Sequence, residues 1–320
     1  MKISVVIPAY NSARFLPMTL DSVIRQTLQP DEILVADDGS TDNTVAMLES
    51  YQPRITVFQR KNGGVAAARN FLSQQASGDL IAFLDHDDIW HRHYLEVQHR
   101  LHENYPKAVA SFTDHIDFNG YGNYEWPADE PFQLPPAKRF DPLEFLKRYN
   151  ISSSTFYTMS VCCVQKKTLR ELGPQPFSEK VSGVDDCYFC NSMPLLGPVV
   201  YAANSLVAYR VTAQAQSAHH LRNFSMVVDA FKDLEKKYQN QPDAALYRMF
   251  RWCFAGKRRR YGKTLMDAGS IPAARAEFKS AFAASANPVS MTKSLGLFFL
   301  TYLPHALQPE WPSSYRKSTA

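Results

Sequence analysis

The first 85 residues repeat one pattern, a short apolar run followed by a turn and a segment of helical period, and this alternation limits the possible folds more than any other feature. Ile3 to Ile7 is a β-branched run ended by Pro8, and Asn11 and Ser12 stand in N-cap position before Phe15, Leu16, Leu20, Val23 and Ile24 at 3.6-residue spacing. Glu32 to Ala36 stops at the turn Asp37-Asp-Gly-Ser-Thr-Asp42, whose acids and hydroxyls can cap a helix holding Val45 and Leu48. A strand near Ile55 to Phe58, a loop from Lys61 to Gly64, a helix from Val65 to Gln75 and a strand from Leu80 to Leu84 complete the series. Strands joined through helices lie parallel, and their unbroken apolar runs require cover on both faces. The expectation is an α/β domain with a mostly parallel sheet and its ligand site beyond the carboxyl ends of the strands.

The rest of the chain is less regular. A helix is expected from Arg92 to Asn104 and a strand from Ala108 to Phe112. A long loop from His115 to Arg139 follows, carrying Tyr121, Tyr124, Trp126 and Phe132. Helix signals return at Pro142 to Arg148 and at Asp185, with strands at Ser160 to Val164 and from Pro198 to Val211. From Leu221 onward the period is helical, which divides the chain into residues 1–218 and a helical region 219–320. Gly269 to Pro288 looks like one tetratricopeptide-type hairpin, which alone forms no solenoid and so serves as an appendage.

Composition narrows the setting. With 45% hydrophobic and 21% charged residues the chain can bury a core without metals or bridges. Five cysteines, an odd number, suit a reducing compartment, and the cytoplasm is expected. No signal-peptide h-region follows Met1. Ser294 to Leu303, an uncharged stretch near the C-terminus, falls short of the roughly 20 residues of a spanning helix. A net charge of +4 does not imply nucleic-acid binding. Arg248 to Lys263 nevertheless carries seven basic residues and no acid, which points to an anionic partner. With Leu295 to Leu303 it could form a surface for an anionic membrane leaflet; the alternative is a solvated basic face beside a core helix.

Three motifs carry chemistry. Asp85-His86-Asp87-Asp88 directly follows an apolar strand, and acids so close repel one another unless a cation or donor groups compensate. Such hard oxygen ligands suit Mg²⁺ or Mn²⁺ holding a diphosphate, although a helix N-terminus also favours acids. Asp37 to Asp42 is a second strand-end acidic turn. In Asn62 to Asn70 a glycine turn leads into a small-residue helix face with Arg69, whose forked guanidinium could meet a diphosphate. Cys187 and Cys190 have no second cysteine pair to complete a zinc site and read as packing residues.

Val5-Val-Ile-Pro-Ala-Tyr-Asn11, Asp37-Asp-Gly-Ser-Thr-Asp42, Gly64-Val-Ala-Ala-Ala-Arg-Asn70 and Phe83-Leu-Asp-His-Asp-Asp88, in that order, closely resemble family 2 glycosyltransferases of the GT-A fold. The resemblance covers roughly residues 1 to 215. It implies a nucleoside-diphosphate-sugar donor site with Pro8, Ala9 and Tyr10 at the base, Asp37 and Asp38 at uracil or ribose, and Arg69, Asp85 and His86 near the diphosphate. Asp85 and Asp87 match the family's DxD, with Asp87 the direct ligand of Mn²⁺ or Mg²⁺. Ser182-Gly-Val-Asp-Asp186 matches the acidic pair ahead of the base helix, Asp185 standing where the family has glutamate and Asp186 as the base. The implied reaction is inverting transfer, leaning to a UDP-sugar, onto a glycan or lipid-linked hydroxyl acceptor of a surface polysaccharide. Thr212 occupies the place of a family histidine, which His219 or His220 could replace. Two rivals stand beside this reading. A sugar nucleotidyltransferase would want a glycine-rich phosphate loop after the first strand, where Ala9-Tyr-Asn-Ser12 lies; a non-catalytic scaffold would be expected to have lost some of Asp85, Asp87 and Asp186.

Overall fold

The computed structural model describes residues 1–127, 134, 136–151, 158–212, 220–285 and 287–303. These divide into two compact units, one of residues 1–145 and 152–212 and one of 146–151 and 213–320.

The first unit is an α/β layer structure. β1 (Ile3–Ala9), α1 (Leu16–Ile24), β2 (Glu32–Asp37), α2 (Thr44–Glu49), β3 (Thr56–Gln59), α3 (Val65–Gln75) and β4 (Leu80–Phe83) are the alternating elements expected from the sequence. β3-β2-β1-β4 run parallel in that spatial order, with Val5 opposite both Ile33 and Ala82. Every residue of β1 and β4 is buried, which is why their sequences run apolar without alternation. The small face of α3, Ala66 and Ala68, is fully buried, and the helix packs on β1 and β2.

Beyond β4 the sheet becomes mixed. The chain continues through β5 (Ile89–Trp90), α4 (Tyr94–Asn104), β6 (Ala110–Asn119), β7 (Ala137–Phe140), α5 (Pro142–Ile151), β8 (Cys162–Gln165), α6 (Lys166–Leu172), α7 (Asp185–Ser192) and β9 (Val199–Val211). β8 enters antiparallel between β4 and β6; β6 and β9 pair in parallel, and β5 and β7 add antiparallel to β9. β8 returns the chain to β4, and β9 returns it beside the turn that follows β4.

Four expectations need correction. Asn11 and Ser12 do not cap α1, whose N-cap is Phe15; Asn11 takes a positive φ of 48° in a turn that binds Ser40 and Thr41. The loop expected from His115 begins only after Asn119, because β6 runs seven residues further than the Phe112 limit drawn from apolar content and continues through alternating polar positions. The end of that segment, from Ala137, belongs to β7, and Phe132 lies outside the described residues. Ser160 belongs to a 3₁₀ turn, Met159–Val161, ahead of β8.

The second unit is helical: α8 (His220–Gln239), α9 (Ala244–Asp267), α10 (Ile271–Ala284) and α11 (Pro288–Leu300). Asp243 caps α9 through Ala245 N and Leu246 N, and Asn287 caps α11 through Ser290 N. α9 and α10 pack together with α11 around Leu265, Met266, Ala274 and Phe278. A Cβ on Gly262 of α9 would stand 2.6 Å from the Phe278 ring, so this helix contact requires glycine. Gly262→Ala should therefore cost about 1–3 kcal/mol by overpacking. A lowered unfolding midpoint in urea checks this, and an unchanged midpoint would show that the ring can move aside.

Candidate active site

The site begins at the carboxyl ends of β1, β2 and β4. Ala9 O accepts the Asp38 amide at 2.8 Å, joining the first two strand ends, and Tyr10 just beyond is 46% exposed. Asp37 receives Ser40 N at 3.3 Å, and both Asp37 and Asp38 are buried. The Asp38 carboxylate accepts the amides of Gly63 at 3.0 Å and Gly64 at 2.7 Å. It thus ties β2 to the start of α3. Gly64 has a φ of +86°, and a Cβ there would meet Ser182 Oγ at 2.9 Å, so glycine is required where this turn passes close to the segment ahead of α7.

α3 carries Arg69 and Asn70 inward. Arg69 Nη1 donates to Asp185 Oδ2 at 2.6 Å and Nη2 to Asp85 Oδ1 at 2.5 Å. Burial alone would lower the pKa of this guanidinium, but Asp85 and Asp185 outweigh it and raise the value above the usual arginine range. Asn70 exchanges two hydrogen bonds with the Phe177 backbone, 2.9 and 3.0 Å, fixing the segment that leads to α7. Arg69, expected to meet a diphosphate, thus commits both terminal nitrogens to carboxylates of its own chain.

The Asp85 to Asp88 turn is held from three sides. Thr19 of α1 donates to the carbonyls of His86 and Asp88, at 2.9 and 2.8 Å. Ser160 Oγ accepts Asp85 N at 3.0 Å and donates to Asp88 Oδ2 at 2.6 Å, while Thr158 Oγ1 lies 3.1 Å from carboxylate oxygens of both Asp85 and Asp88. Arg210 on β9 gives its amide to Asp88 Oδ1 at 3.0 Å and its Nε to Asp87 O at 2.9 Å. Its Nη1 binds the carbonyls of Gly120 and Gly122, so the same buried cation also anchors the aromatic loop after β6. Burial, then Asp87 and Asp85, push the Asp88 carboxyl well above the usual carboxylate range. Asp88 is a support for the turn rather than a group facing outward.

Asp87 differs from its neighbours. Its carboxylate accepts no hydrogen bond from another residue among the described ones, and burial followed by the Asp85 charge raises its pKa, with His86 and Arg210 opposing. A hard oxygen group with too much negative charge around it fits Mg²⁺ or Mn²⁺, which bind through one or two carboxylates and complete their shell with phosphate and water. No cluster of three or more His, Cys, Asp or Glu side chains forms a protein cage among the described residues, and Asp87 and Asp85 are the carboxylates that could hold such an ion. The His86 side chain is half-buried beside them.

Asp185 and Asp186 open α7. Asp185 is 1% exposed and takes Arg69 on one oxygen and Gly183 N, at 3.0 Å, on the other. Asp186 accepts Cys187 N at 2.6 Å. Its pKa is pushed up to about 7 by burial and then by the Asp185 charge, with Arg69 opposing.

Sequence reasoning missed Thr158, Ser160 and Thr19, for which single hydroxyls give no signal, and gave Arg210 no role. Thr212 lies half-buried just past β9, whereas His219 and the side chain of His220 lie outside the described residues. All five cysteines are free thiols; Cys162, Cys163 and Cys253 are buried, and burial raises their pKa values.

The strand-end carboxylates on a doubly covered sheet and the acidic turn after β4 stand where the sequence resemblance leads one to expect the donor site. The chain belongs to glycosyl transferase family 2, whose profile matches residues 4–172, more than half of its length. It is 38% identical over 125 residues to the Escherichia coli enzyme WfgD, named UDP-Glc:alpha-D-GlcNAc-diphosphoundecaprenol beta-1,3-glucosyltransferase; the match covers 38% of this chain and 46% of WfgD. The chain spans less than half the length of curated relatives it matches, 21% in the case of a glycosyltransferase from Rickettsia felis. Among solved structures, S. aureus TarS 1-349 in complex with UDP-GlcNAc superposes with a TM-score of 0.70 at 17% identity, covering 94% of this chain and 89% of that one. The mannosyltransferase PcManGT from Pyrobaculum calidifontis, in complex with GDP-Man and Mn²⁺, gives 0.61 at 18% identity over 99% of this chain and 83% of its own. These likenesses establish the GT-A fold.

Removing Arg69 tests the electrostatic frame. Arg69→Met leaves Asp85 and Asp185 without their counter-charge, and breaking a buried pair in this way costs about 3–5 kcal/mol. Urea unfolding of both proteins measures this, and a loss below about 1 kcal/mol would mean that the buried ion pairs add little to the fold.

Proposed function

We propose that residues 1–218 transfer a sugar with inversion from a nucleoside diphosphate sugar, a UDP-sugar above others, to a hydroxyl group of a glycan or lipid-linked acceptor in surface-polysaccharide synthesis. The helical residues 219–320 are an appendage in this reading. The observation that carries it is the division of labour between two adjacent acids: Arg69 locks Asp185, while Asp186 has no salt bridge among the described residues and a pKa of about 7, near the working pH of a general base. Family membership, the UDP-GlcNAc bound by TarS and the diphosphoundecaprenol acceptor in WfgD's name support the donor and acceptor classes. No helix among the described residues is long and apolar enough to cross a membrane. Synthesis at the cytoplasmic face of the membrane suits the reading.

Asp186 takes the proton of the acceptor hydroxyl as its oxygen attacks the anomeric carbon, and the bond from that carbon to the diphosphate breaks on the opposite side. A second, nucleophilic carboxylate is not needed for inversion. Asp85 is held by Arg69 and Thr158, while the Asp87 carboxylate accepts no hydrogen bond from another of the described residues. Mn²⁺ or Mg²⁺ bound at Asp87 and Asp85 supplies charge neutralisation for the departing diphosphate. Mn²⁺ in the GDP-Man complex of PcManGT supports this choice. Tyr10, exposed just past the end of β1, has the ring to stack on the base, with the buried Pro8 and Ala9 preceding it in the strand.

Asp186→Asn should lower turnover by roughly 10²–10⁴-fold with donor affinity nearly unchanged, because the base acts on the acceptor proton in the transition state. Asp185→Asn removes an ion-pair partner and should chiefly lower thermal stability. If Asp185→Asn is instead the inactive variant at full stability, the base is one residue upstream. Turnover at saturating donor should rise about tenfold per pH unit below pH 7 and level off above it, since the base must be unprotonated. Asp87→Ala should abolish Mn²⁺-dependent binding of UDP in calorimetry while leaving the fold intact. Unchanged Mn²⁺-dependent affinity would refute the metal assignment.

A further inference from the structure

Arg210 joins two segments that lie far apart in the chain. It is 1% exposed, and its planar guanidinium offers five N–H donors in a fixed fork. Nε donates to Asp87 O at 2.9 Å, while Nη1 donates to Gly120 O at 2.9 Å and to Gly122 O at 2.8 Å. The ring centroids of Phe15 and Phe118 lie 4.6 and 4.5 Å from its Cζ, so aromatic faces help to hold the fork in place. One rigid group therefore sets the spacing between the backbone of Asp87 and the loop that follows β6.

The loop also meets the acidic turn at its other end. Trp126 Nε1 donates to Trp90 O at 3.2 Å, and the Tyr124 ring contacts both Phe118 and Trp126, at 5.3 and 5.0 Å between centroids. Tyr121 stacks on Phe15 at 6.0 Å, and the Arg14 guanidinium lies 4.1 Å over the Tyr121 ring. Residues 120–126 are thus tied to residues 87–90 at both ends. Thr19, Thr158 and Ser160 hold the carbonyls of His86 and Asp88 and the carboxylates of Asp85 and Asp88, whereas Asp87 O is taken by Arg210.

We propose that Arg210 is a positioning residue that fixes Asp87 for its metal ion and couples that ligand to the aromatic loop 120–126, so that displacing the loop weakens the hold on a metal-bound diphosphate. The inference rests on the transferase reading, which supplies the metal and the diphosphate. Groups that orient a metal ligand from behind set affinity by about 10–100-fold. Lysine keeps the charge but presents its donors at a single nitrogen, so it cannot hold Asp87 O and the two glycine carbonyls at the spacing of the fork.

The test is calorimetry of UDP binding with and without Mn²⁺. Arg210→Lys should weaken the Mn²⁺-dependent affinity about 10–100-fold and leave the Mn²⁺-independent binding unchanged, a split that general loss of structure does not produce. Gly120→Ala approaches the same contact from the loop. A Cβ there meets nothing within 4 Å, but the φ of +101° is one that alanine resists, so the carbonyl must shift. This variant should weaken Mn²⁺-dependent affinity by about threefold or more, and add nothing in the Arg210→Lys background. In the metal-free chain, chymotrypsin should cleave after Tyr121 and Tyr124 at least about tenfold faster in Arg210→Lys, because three hydrogen bonds from a charged donor group are lost or weakened. Should Arg210→Lys fail to fold by circular dichroism, Gly120→Ala alone decides. Unchanged Mn²⁺-dependent affinity in Gly120→Ala overturns the coupling, as does equal weakening with and without Mn²⁺ in Arg210→Lys. If the unaltered chain shows no Mn²⁺-dependent binding of UDP, the metal reading falls and this proposal with it, whereas dependence in the unaltered chain that survives Arg210→Lys overturns this proposal alone.

Discussion

One buried cation organises the catalytic end of the sheet. Arg69 is 5% exposed and holds carboxylates from positions 85 and 185. A desolvated guanidinium is tolerable only when its partners are in place, and either partner left alone is a buried unpaired charge. The end of β4 and the start of α7 must therefore meet over α3. Asp38, holding the amides of Gly63 and Gly64, fixes where α3 starts, and Asn70, bound to Phe177, fixes where the chain enters α7. The candidate base and the candidate metal ligands are brought together by satisfying this arginine. Their closeness follows from an ion-pair constraint as much as from the sheet.

The elements read most closely from sequence are those whose physics is local or wholly apolar. α3 has the expected bounds, Val65–Gln75, because Gly64 with its positive φ supplies a start that no other residue offers as readily, and Ala76 departs from helical geometry. β1, β2 and β4 were legible because a parallel strand covered on both faces runs nearly unbroken in apolar residues, Ser4 and the two end residues of β2 aside. The site acids were legible for the complementary reason: a strand of that kind ends where polarity begins, and Asp37, Asp38 and Asp85 are the first charges after it.

What was not legible depends on partners distant in the chain. β6 extends through Asp114, His115 and Asp117, a run whose polarity suggests a loop. Pairing with β9 from Asp114 to Asn119 supplies the backbone hydrogen bonds that stabilise it as strand. β5 has only two residues and exists because β9 passes beside it. Thr158 and Ser160 lie some seventy residues from the acids they hold and have no motif of their own. Arg210 is the extreme case. Its amide, Nε and Nη1 serve Asp88, Asp87 and the Gly120–Gly122 turn, and its ring neighbours are Phe15 and Phe118. That role belongs to topology, since β9 must return beside the acidic turn before the side chain has anything to bind.

The pair Asp185 and Asp186 shows how two adjacent identical residues acquire different chemistry. Successive helical positions point about 100° apart, so one guanidinium approaching from α3 can satisfy only one of them. Asp185 faces Arg69, and Gly183 N occupies its other oxygen. Asp186 is left with one backbone donor and with the negative charge of its neighbour, so burial and repulsion both favour its protonated form and its pKa rises to about 7. Arg69, which pairs with the first carboxylate, only partly offsets the rise at the second. Arg69 settles which of the two carboxylates is structural, and its partner Asp185 supplies part of the field that tunes the other toward proton transfer.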